Sequence, residues 1–425
     1  MPRLPLLNFA RVVALVRALI ALLVATMFVG CSMPFPGSQS VMDGGTIVFG
    51  ATIPITGEQA AEGSYTRDGY LMFIDTVNKA GGIRIGDKTY KLKLVYYDDG
   101  SQPERVAPLY ERLITQDHVN FLLGPYSSQL TAAAVPIAEK YGVPMVAAHG
   151  SAESIFPSGD RYTFSIISPA RNYLRGVLAV VLAKDPAIET VALLGADEPF
   201  AREVLAGAAE YAAERHLTVV YRSLYPLIPD DLSPLLHEIK QRNPDIVLAA
   251  GHLQDAILIV RQAKEQDLRP RALGFTSGPS TPEFRANLKG DADYIFGATQ
   301  WTSALKYSGI GPWATPSDYA QAFRAAHPQY SEIPYQTAES TAALLVFQQA
   351  IEQSGTLDPE AVRTALSGLD TMTFYGRVKF DARGLNVYKP MAVEQLQPDG
   401  KKYTVFPADV AEREALYPMP AWTHR

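Results

Sequence analysis

From Gly45 onward, short apolar runs alternate with amphipathic stretches of helical length, and this rhythm restricts the fold more than any other feature of the chain. The run "TIVFGATIP" is a β-branched strand candidate. After it, residues 63–78 carry Tyr70, Phe73, Ile74 and Val77 on one helical face. Strand "YKLKLVYYDD", a helix from Pro103 to about Gln116, strand "VNFLLG", a helix from Ser128 to Tyr141 and strand "VPMVAA" follow. The alternation resumes after Pro169 with a helix, strand "TVALLGA", a helix from Ala201 and strand "LTVVYRSL". A further helix, strand "DIVLAAG", another helix and strand "RALGF" complete it. Strands alternating with helices predict βαβ units in parallel, doubly wound α/β sheets. The apolar runs show little polar alternation, as strands covered on both faces require.

The rhythm breaks near residue 297. "YIFGATQWTSALKYSGIGPWATPSDYA" reads as a long loop with Gly, Pro and Trp. Helices are expected at Tyr335–Ser354 and Asp358–Ser367, then strands in "TFYGRVKFD" and "MAVEQLQPDGKKYTVFP". Turns are expected at Asp381 to Gly384 and at Asp399-Gly400. Two α/β lobes followed by helices and a closing β segment outline a chain that crosses between lobes more than once.

The N-terminus gives an address. Residues 1–30 hold Arg3, Arg11 and Arg17, no acid, and an apolar run from Ala18 to Gly30 that ends at Cys31, the only cysteine in 425 residues. That is the layout of a secretory signal, and the run is shorter than the roughly 20 residues a membrane span needs. The tetrad "FVGC" resembles a bacterial lipobox, with Phe28 where Leu is commoner. It implies cleavage before Cys31 and a lipid on its thiol, so that the membrane is a partner through the anchor. An ordinary signal peptide with an incidental cysteine is the alternative. Residues 31–45, rich in Ser, Pro and Gly, then read as the lipidated cysteine and a flexible tether. Without residues 1–30 the chain has 35 basic and 44 acidic residues, a net charge near −9 that argues against nucleic acid as a partner. Seven histidines without ligand spacing predict no metal, and no cofactor is expected.

Nine segments in order carry a family resemblance. They are "GATIPITGEQAAEG", "VNKAGGI", "YYDDGSQPERV", "LLGPYSS", "YGVPMVAA", "NPDIVLAAG", "FGATQW" and "PYQTAESTAALL", with "FYGRVKFDARG" closing the series. Together they make residues 45–407 similar to the leucine/isoleucine/valine-binding type of ABC-transporter solute receptor, the type I periplasmic binding fold. The resemblance implies two α/β lobes joined by three crossover segments, with a small solute bound in the cleft between them and ABC permease subunits as the membrane partner. Lobe 1 is expected at residues 46–165 plus 298–372 and lobe 2 at 166–297 plus 373–407, leaving 408–425 as a C-terminal tail; a monomer is expected.

In open parallel sheets a ligand sits beyond the carboxyl ends of the strands. "LLGPYSS" puts Tyr126, Ser127 and Ser128 at a strand end and a helix start, where free N–H groups and a hydroxyl suit a carboxylate. Either serine is also a fitting N-cap. In "AAHGSAES" the resemblance implies Ser151 as a second hydroxyl for an α-carboxylate, with backbone carbonyls of His149 and Gly150 facing an ammonium group. The His149 side chain reads either as a contact or as an exposed loop histidine. In the second lobe Phe200 of "GADEPFAR" matches an aromatic that packs on the ligand, or else a core residue; His252 or Leu253 of "GHLQDA" would flank it. Trp301 reads as a wall of the pocket or as hinge packing, and Tyr126 is similarly ambiguous.

One departure stands out. Receptors of this type place an acid after the strand corresponding to "RALGF", where it pairs with the ligand's ammonium, and this chain has "TSGPS" there. A buried ammonium without a carboxylate costs several kcal/mol. Either Glu62, Asp197 or Glu339 takes the role, with Glu62 standing where the family often has tyrosine, or the ligand lacks an α-ammonium. An amino acid, an amide or a small carboxylate therefore all remain in view. No GxSxG, HExxH, P-loop or GxGxxG is present, so catalysis is not expected. A sensor acting through a separate signalling partner is the alternative to transport.

Overall fold

The computed structural model describes residues 42–425. Cys31, the segment before it and the tether up to residue 41 lie outside the described residues. The first part of the chain runs β1 (Met42–Ile53), α1 (Ala60–Lys79), β2 (Ile83–Ile85), β3 (Lys88–Asp98), α2 (Pro103–Thr115), β4 (Phe121–Leu123), α3 (Ser128–Tyr141), β5 (Met145–Ala147) and β6 (Thr163–Ser165). These strands form a sheet in the order β2-β3-β1-β4-β5-β6, in which β1, β4, β5 and β6 pair in parallel. Every residue of β4, β5 and β6 is buried, which is why their sequences show no polar alternation.

The second part runs α4 (Arg175–Lys184), β7 (Thr190–Ala196), α5 (Pro199–Glu214), β8 (Thr218–Tyr225), α6 (Ser233–Arg242), β9 (Ile246–Ala250), α7 (Leu253–Glu265), β10 (Ala272–Phe275), α8 (Pro282–Leu288) and β11 (Phe296–Thr299). It continues through α9 (Pro316–Ala326), α10 (Tyr335–Ser354), α11 (Pro359–Ser367), the hairpin β12 (Asp370–Thr373) and β13 (Gly376–Lys379), then β14 (Ala392–Leu396) and β15 (Lys402–Phe406). The second sheet has the order β15-β14-β11-β10-β9-β7-β8, parallel from β8 to β11 and antiparallel from there to β15. The Asp399-Gly400 turn joins its last two strands, with Gly400 at φ +81°.

Three differences from the sequence reading have local causes. The expected loop after residue 297 holds helix α9, started by a reciprocal cap between Thr315 and Asp318 with Pro316 in its first turn. The hairpin β12–β13 turns at Phe374 and Tyr375, and Phe374, Tyr375 and Val378 pack into the core of the first lobe. The chain therefore returns to the second lobe between residues 380 and 392, later than the expected 373. The segment 408–425 packs on the second lobe: Trp422 is in its core and donates to the Leu268 carbonyl at 2.8 Å.

The three crossovers are tied at Gln300. Its Oε1 accepts from Ser168 N at 3.0 Å, its Nε2 donates to the Ser168 carbonyl at 3.2 Å, and Lys389 Nζ donates to its own carbonyl at 2.7 Å. Helix α10 is buried on nearly every face from Tyr335 to Phe347, so it carries no amphipathic stripe despite its length. It crosses α1 closely at Gly69, where a Cβ would stand 2.3 Å from the Thr337 carbonyl oxygen. That approach brings polar residues of α10 beneath the cleft.

Candidate functional site

Loops at the carboxyl ends of β4, β5, β9 and β10 line a narrow cavity between the two sheets. Its wall on the first lobe includes Tyr126, Ser127, Ser128, His149 and Ser151. Ser127 sits at φ +72°, a left-handed conformation uncommon for a residue with a side chain, and its Oγ accepts from Leu130 N at 3.5 Å to cap α3. Ser128 Oγ accepts from Ser151 N and Ala152 N, both at 3.1 Å, tying the β4 loop to the β5 loop. A hydroxyl oxygen that accepts twice still has its own proton to donate.

His149 is 5 % exposed, so it is not a loop histidine in solvent. Its Nδ1 lies 2.6 Å from Glu339 Oε1, and its Nε2 lies 3.0 Å from Thr66 Oγ1 and 2.9 Å from Ser340 Oγ. Thr66 and Ser340 donate their protons to the carbonyls of Glu62 and Gln336, so both oxygens accept from Nε2–H. This network places a proton on Nε2, and the proton between Nδ1 and Glu339 falls on the carboxylic acid because burial disfavours an ion pair there. Burial acts in the same sense on both, lowering His149 to about 3 and raising Glu339 well above the carboxylate range. The second oxygen of Glu339 accepts from Tyr375 OH at 3.2 Å. Gly150 is not on the cavity wall, and its carbonyl accepts from Ser165 Oγ at 2.6 Å.

The second lobe contributes Phe200, His252 and Ser277. Phe200 stands in the first turn of α5, with its ring edge-on to Tyr173 at 5.0 Å and tilted against His252 at 5.8 Å. His252 Nε2 is 2.8 Å from Glu198 Oε1, and Nδ1 is 3.2 Å from Tyr126 OH of the other lobe. Burial opposes a charge on His252, but Glu198, Glu62 and Asp255 outweigh it and lift the imidazole to about 9. His252 is thus an imidazolium that donates to the Tyr126 oxygen. Ser277 belongs to "TSGPS", so a hydroxyl occupies the place where an acid was sought.

The lobes are closed on each other by more than the Tyr126 contact. Glu62 Oε1 accepts from Leu253 N at 3.3 Å, and Glu203 accepts from Glu153 N and Ser154 N at 2.6 and 3.0 Å. Tyr65 donates to Glu283 across the same boundary. Glu62 is fully buried, and desolvation raises its carboxyl above the usual range although His252 opposes this. It is not on the cavity wall.

Of the three alternative acids, Glu339 lines the cavity, Glu62 bridges the lobes beside it, and Asp197 lies on the surface paired with Arg202 at 2.5 Å. Trp301 does not line the cavity. Its indole donates to the Phe374 carbonyl at 3.1 Å and packs edge-on against Tyr319 and Phe374, because the crossover that carries it turns into the first lobe's core. Tyr173 and Tyr335 line the cavity and were not singled out in the sequence. One stands on the first crossover and the other opens α10, and neither follows a strand. Among the described residues no three His, Cys, Asp or Glu side chains group as metal ligands, and no helix is long and apolar enough to cross a membrane.

Residues 46–401 match the family described as Periplasmic binding protein. The chain belongs to this family. The Leu/Ile/Val-binding protein homolog 8 of Brucella abortus (strain 2308) is 26 % identical over 406 residues, covering 91 % of this chain and 97 % of its own. Among solved structures, the branched-chain amino acid transporter substrate binding protein LivJ of Streptococcus pneumoniae, in complex with isoleucine, superposes with a TM-score of 0.73 at 22 % identity, covering 88 % of this chain and all of its own. A solute binding protein of an ABC transporter from R. palustris, in complex with benzoate, superposes with a TM-score of 0.72 at 19 % identity, over 87 % of this chain and 99 % of its own. These likenesses show the type I periplasmic binding fold. The relatives of this periplasmic binding protein are substrate-binding proteins, not enzymes.

Proposed function

We propose that this protein is the extracytoplasmic receptor of an ABC importer, which captures an amino acid or a related small carboxylate or amide between its lobes and presents it to a membrane permease. The observation that carries the reading is the convergence, on one narrow cavity between the lobes, of strand-end residues from both lobes of a periplasmic binding fold. Solute receptors work by closing two lobes over a ligand, and here Tyr126 and His252 form a hydrogen bond across that closure. The names of its relatives, which point to branched-chain amino acids and to benzoate, support a small carboxylate-bearing solute. Ser127, Ser128 and Ser151 supply hydroxyls and the α3 N-terminus for the carboxylate, and Phe200 covers the remainder. A diacylglycerol on Cys31 tethers the receptor to the membrane, with the signal-like residues 1–30 removed.

The purified protein should be screened by thermal unfolding against amino acids, amides and small carboxylates. A ligand at 100 times its dissociation constant stabilises the folded form by about 2.7 kcal/mol. If no member of any class shifts the transition, the receptor reading fails.

A further inference from the structure

The receptor reading leaves the ligand's charge open, and the placement of protons in the cleft restricts it. A ligand ammonium needs a carboxylate whose lone pairs face it. Among the described residues Glu339 is the one carboxyl group on the cavity wall, and both of its oxygens are engaged, one with His149 Nδ1 and one with Tyr375 OH. Burial, which raises its carboxyl and lowers His149, makes it a neutral acid with both oxygens taken up. Glu198 and Glu62 lie behind the wall, flanking His252. Each has one hydrogen-bonded oxygen and one buried oxygen without a partner.

Donors dominate what does face the cavity. Ser128 accepts two backbone N–H groups and so has its O–H to give. With His252 held charged beside Glu198, its Nδ1–H donates to the Tyr126 oxygen 3.2 Å away, which turns the Tyr126 O–H away from His252. Ser151, Ser277, Tyr173 and Tyr335 add further hydroxyls on the same wall. Hydroxyls that accept from a cation, or that line up without competing carboxylates, are an anion's coordination shell.

Resting on the receptor reading above, we infer that the cleft takes a carboxylate without an α-ammonium group, an aromatic or aliphatic acid, and that Tyr126, polarised by the Glu198–His252 pair, and Ser128 donate to it. The chain Glu198, His252, Tyr126 crosses from one lobe to the other, so the donor at its end is completed by closure.

Matched pairs test this by isothermal titration calorimetry on the purified full chain: 4-methylpentanoate against leucine, 3-phenylpropanoate against phenylalanine, and benzoate alone. At least one acid without the amino group should bind, and should bind about 100-fold or more tightly than its amino acid. A leucine or phenylalanine affinity equal to or above that of its partner overturns the inference. So does silence from every carboxylate while an amino acid or amide binds, which leaves the receptor reading standing; silence from all classes removes both. Tyr126→Phe, with its melting temperature checked, should weaken the acid about tenfold. Glu62→Gln should leave the order within each pair unchanged. If instead an amino acid binds and Glu62→Gln abolishes it, Glu62 is the ammonium partner and the inference falls.

Discussion

The proton between His149 and Glu339 can be located by two substitutions. In Glu339→Leu, His149 Nδ1 loses its donor and Tyr375 OH its nearer acceptor, keeping only Gln300 Oε1 at 3.5 Å, and both groups are buried. A stranded buried group costs about 1–3 kcal/mol, so the variant should lose about 2–6 kcal/mol. Glu339→Gln keeps the shape of a neutral acid: its amide N–H can donate to Nδ1 and its carbonyl can accept from Tyr375. Near pH 6 it should cost about 1 kcal/mol, whereas breaking a buried ion pair would cost about 3–5 kcal/mol. The pH dependence has a definite sign. Unfolded, Glu339 and His149 titrate at 4.5 and 6.5. Folded, Glu339 is raised well above 4.5 and His149 is lowered to about 3, so the native pair holds one proton across neutral pH. Between pH 4.5 and 6.5 the unfolded pair also holds one, and the parent's stability is flat with respect to this pair. Above 6.5 the unfolded pair holds none, so the parent loses about 1.4 kcal/mol per pH unit until folded Glu339 titrates. In Glu339→Gln the slope sits on the other side: unfolded His149 takes up a proton below 6.5 that the folded chain refuses until about pH 3, so stability falls with falling pH. The glutamine variant should therefore gain about 2.7 kcal/mol on the parent between pH 5.5 and 7.5. Urea unfolding of both proteins at these two pH values measures it. A constant difference would show that the pair holds no extra proton, and a loss of 3 kcal/mol or more at pH 6 would put a charge on each partner.

Three further outcomes are expected. Trp301→Ala should destabilise the protein by about 3–5 kcal/mol and leave the ligand order unchanged, because the indole packs in the first lobe's core; lost affinity at undiminished stability would return Trp301 to the cleft. Ser128→Ala strands the N–H groups of Ser151 and Ala152 and should cost about 2–4 kcal/mol as well as ligand affinity, while Ser127→Ala, which removes only a long cap contact, should cost about 1 kcal/mol or less in unfolding experiments. Cys31→Ala should move the protein from the membrane fraction to the soluble fraction of cells, and its retention with membranes would remove the proposed anchor.

Much of the fold was legible because its signals are local. The helices at Ser128–Tyr141 and Tyr335–Ser354 and the strand at Thr190–Ala196 stand where the sequence put them, since apolar runs bounded by polar starts and by Gly142 and Gly355 define them without reference to the rest of the chain. The capping signal of α9 at Thr315, Pro316 and Asp318 was equally local and was passed over among the surrounding Gly and Pro residues. The short strands β2 and β6 have three residues each, too few to show a period.

The site divides differently. Residues that follow strands, Tyr126, Ser127, Ser128, His149 and Ser151 in one lobe and Phe200 and His252 in the other, could be named because a parallel sheet directs its carboxyl-end loops to one crevice. The sequence by itself therefore determined the alternation, the two-lobed α/β class and most of the loops that meet. Tertiary structure alone decided what each side chain does there. His149 meets Glu339 across 190 residues and Tyr126 meets His252 across 126, while Trp301 turns away into a core built largely by α10 and the β12–β13 hairpin. Charge is the clearest case: whether a carboxyl group is an anion or a neutral donor depends on burial and on partners distant in sequence, and no local pattern of residues contains that information.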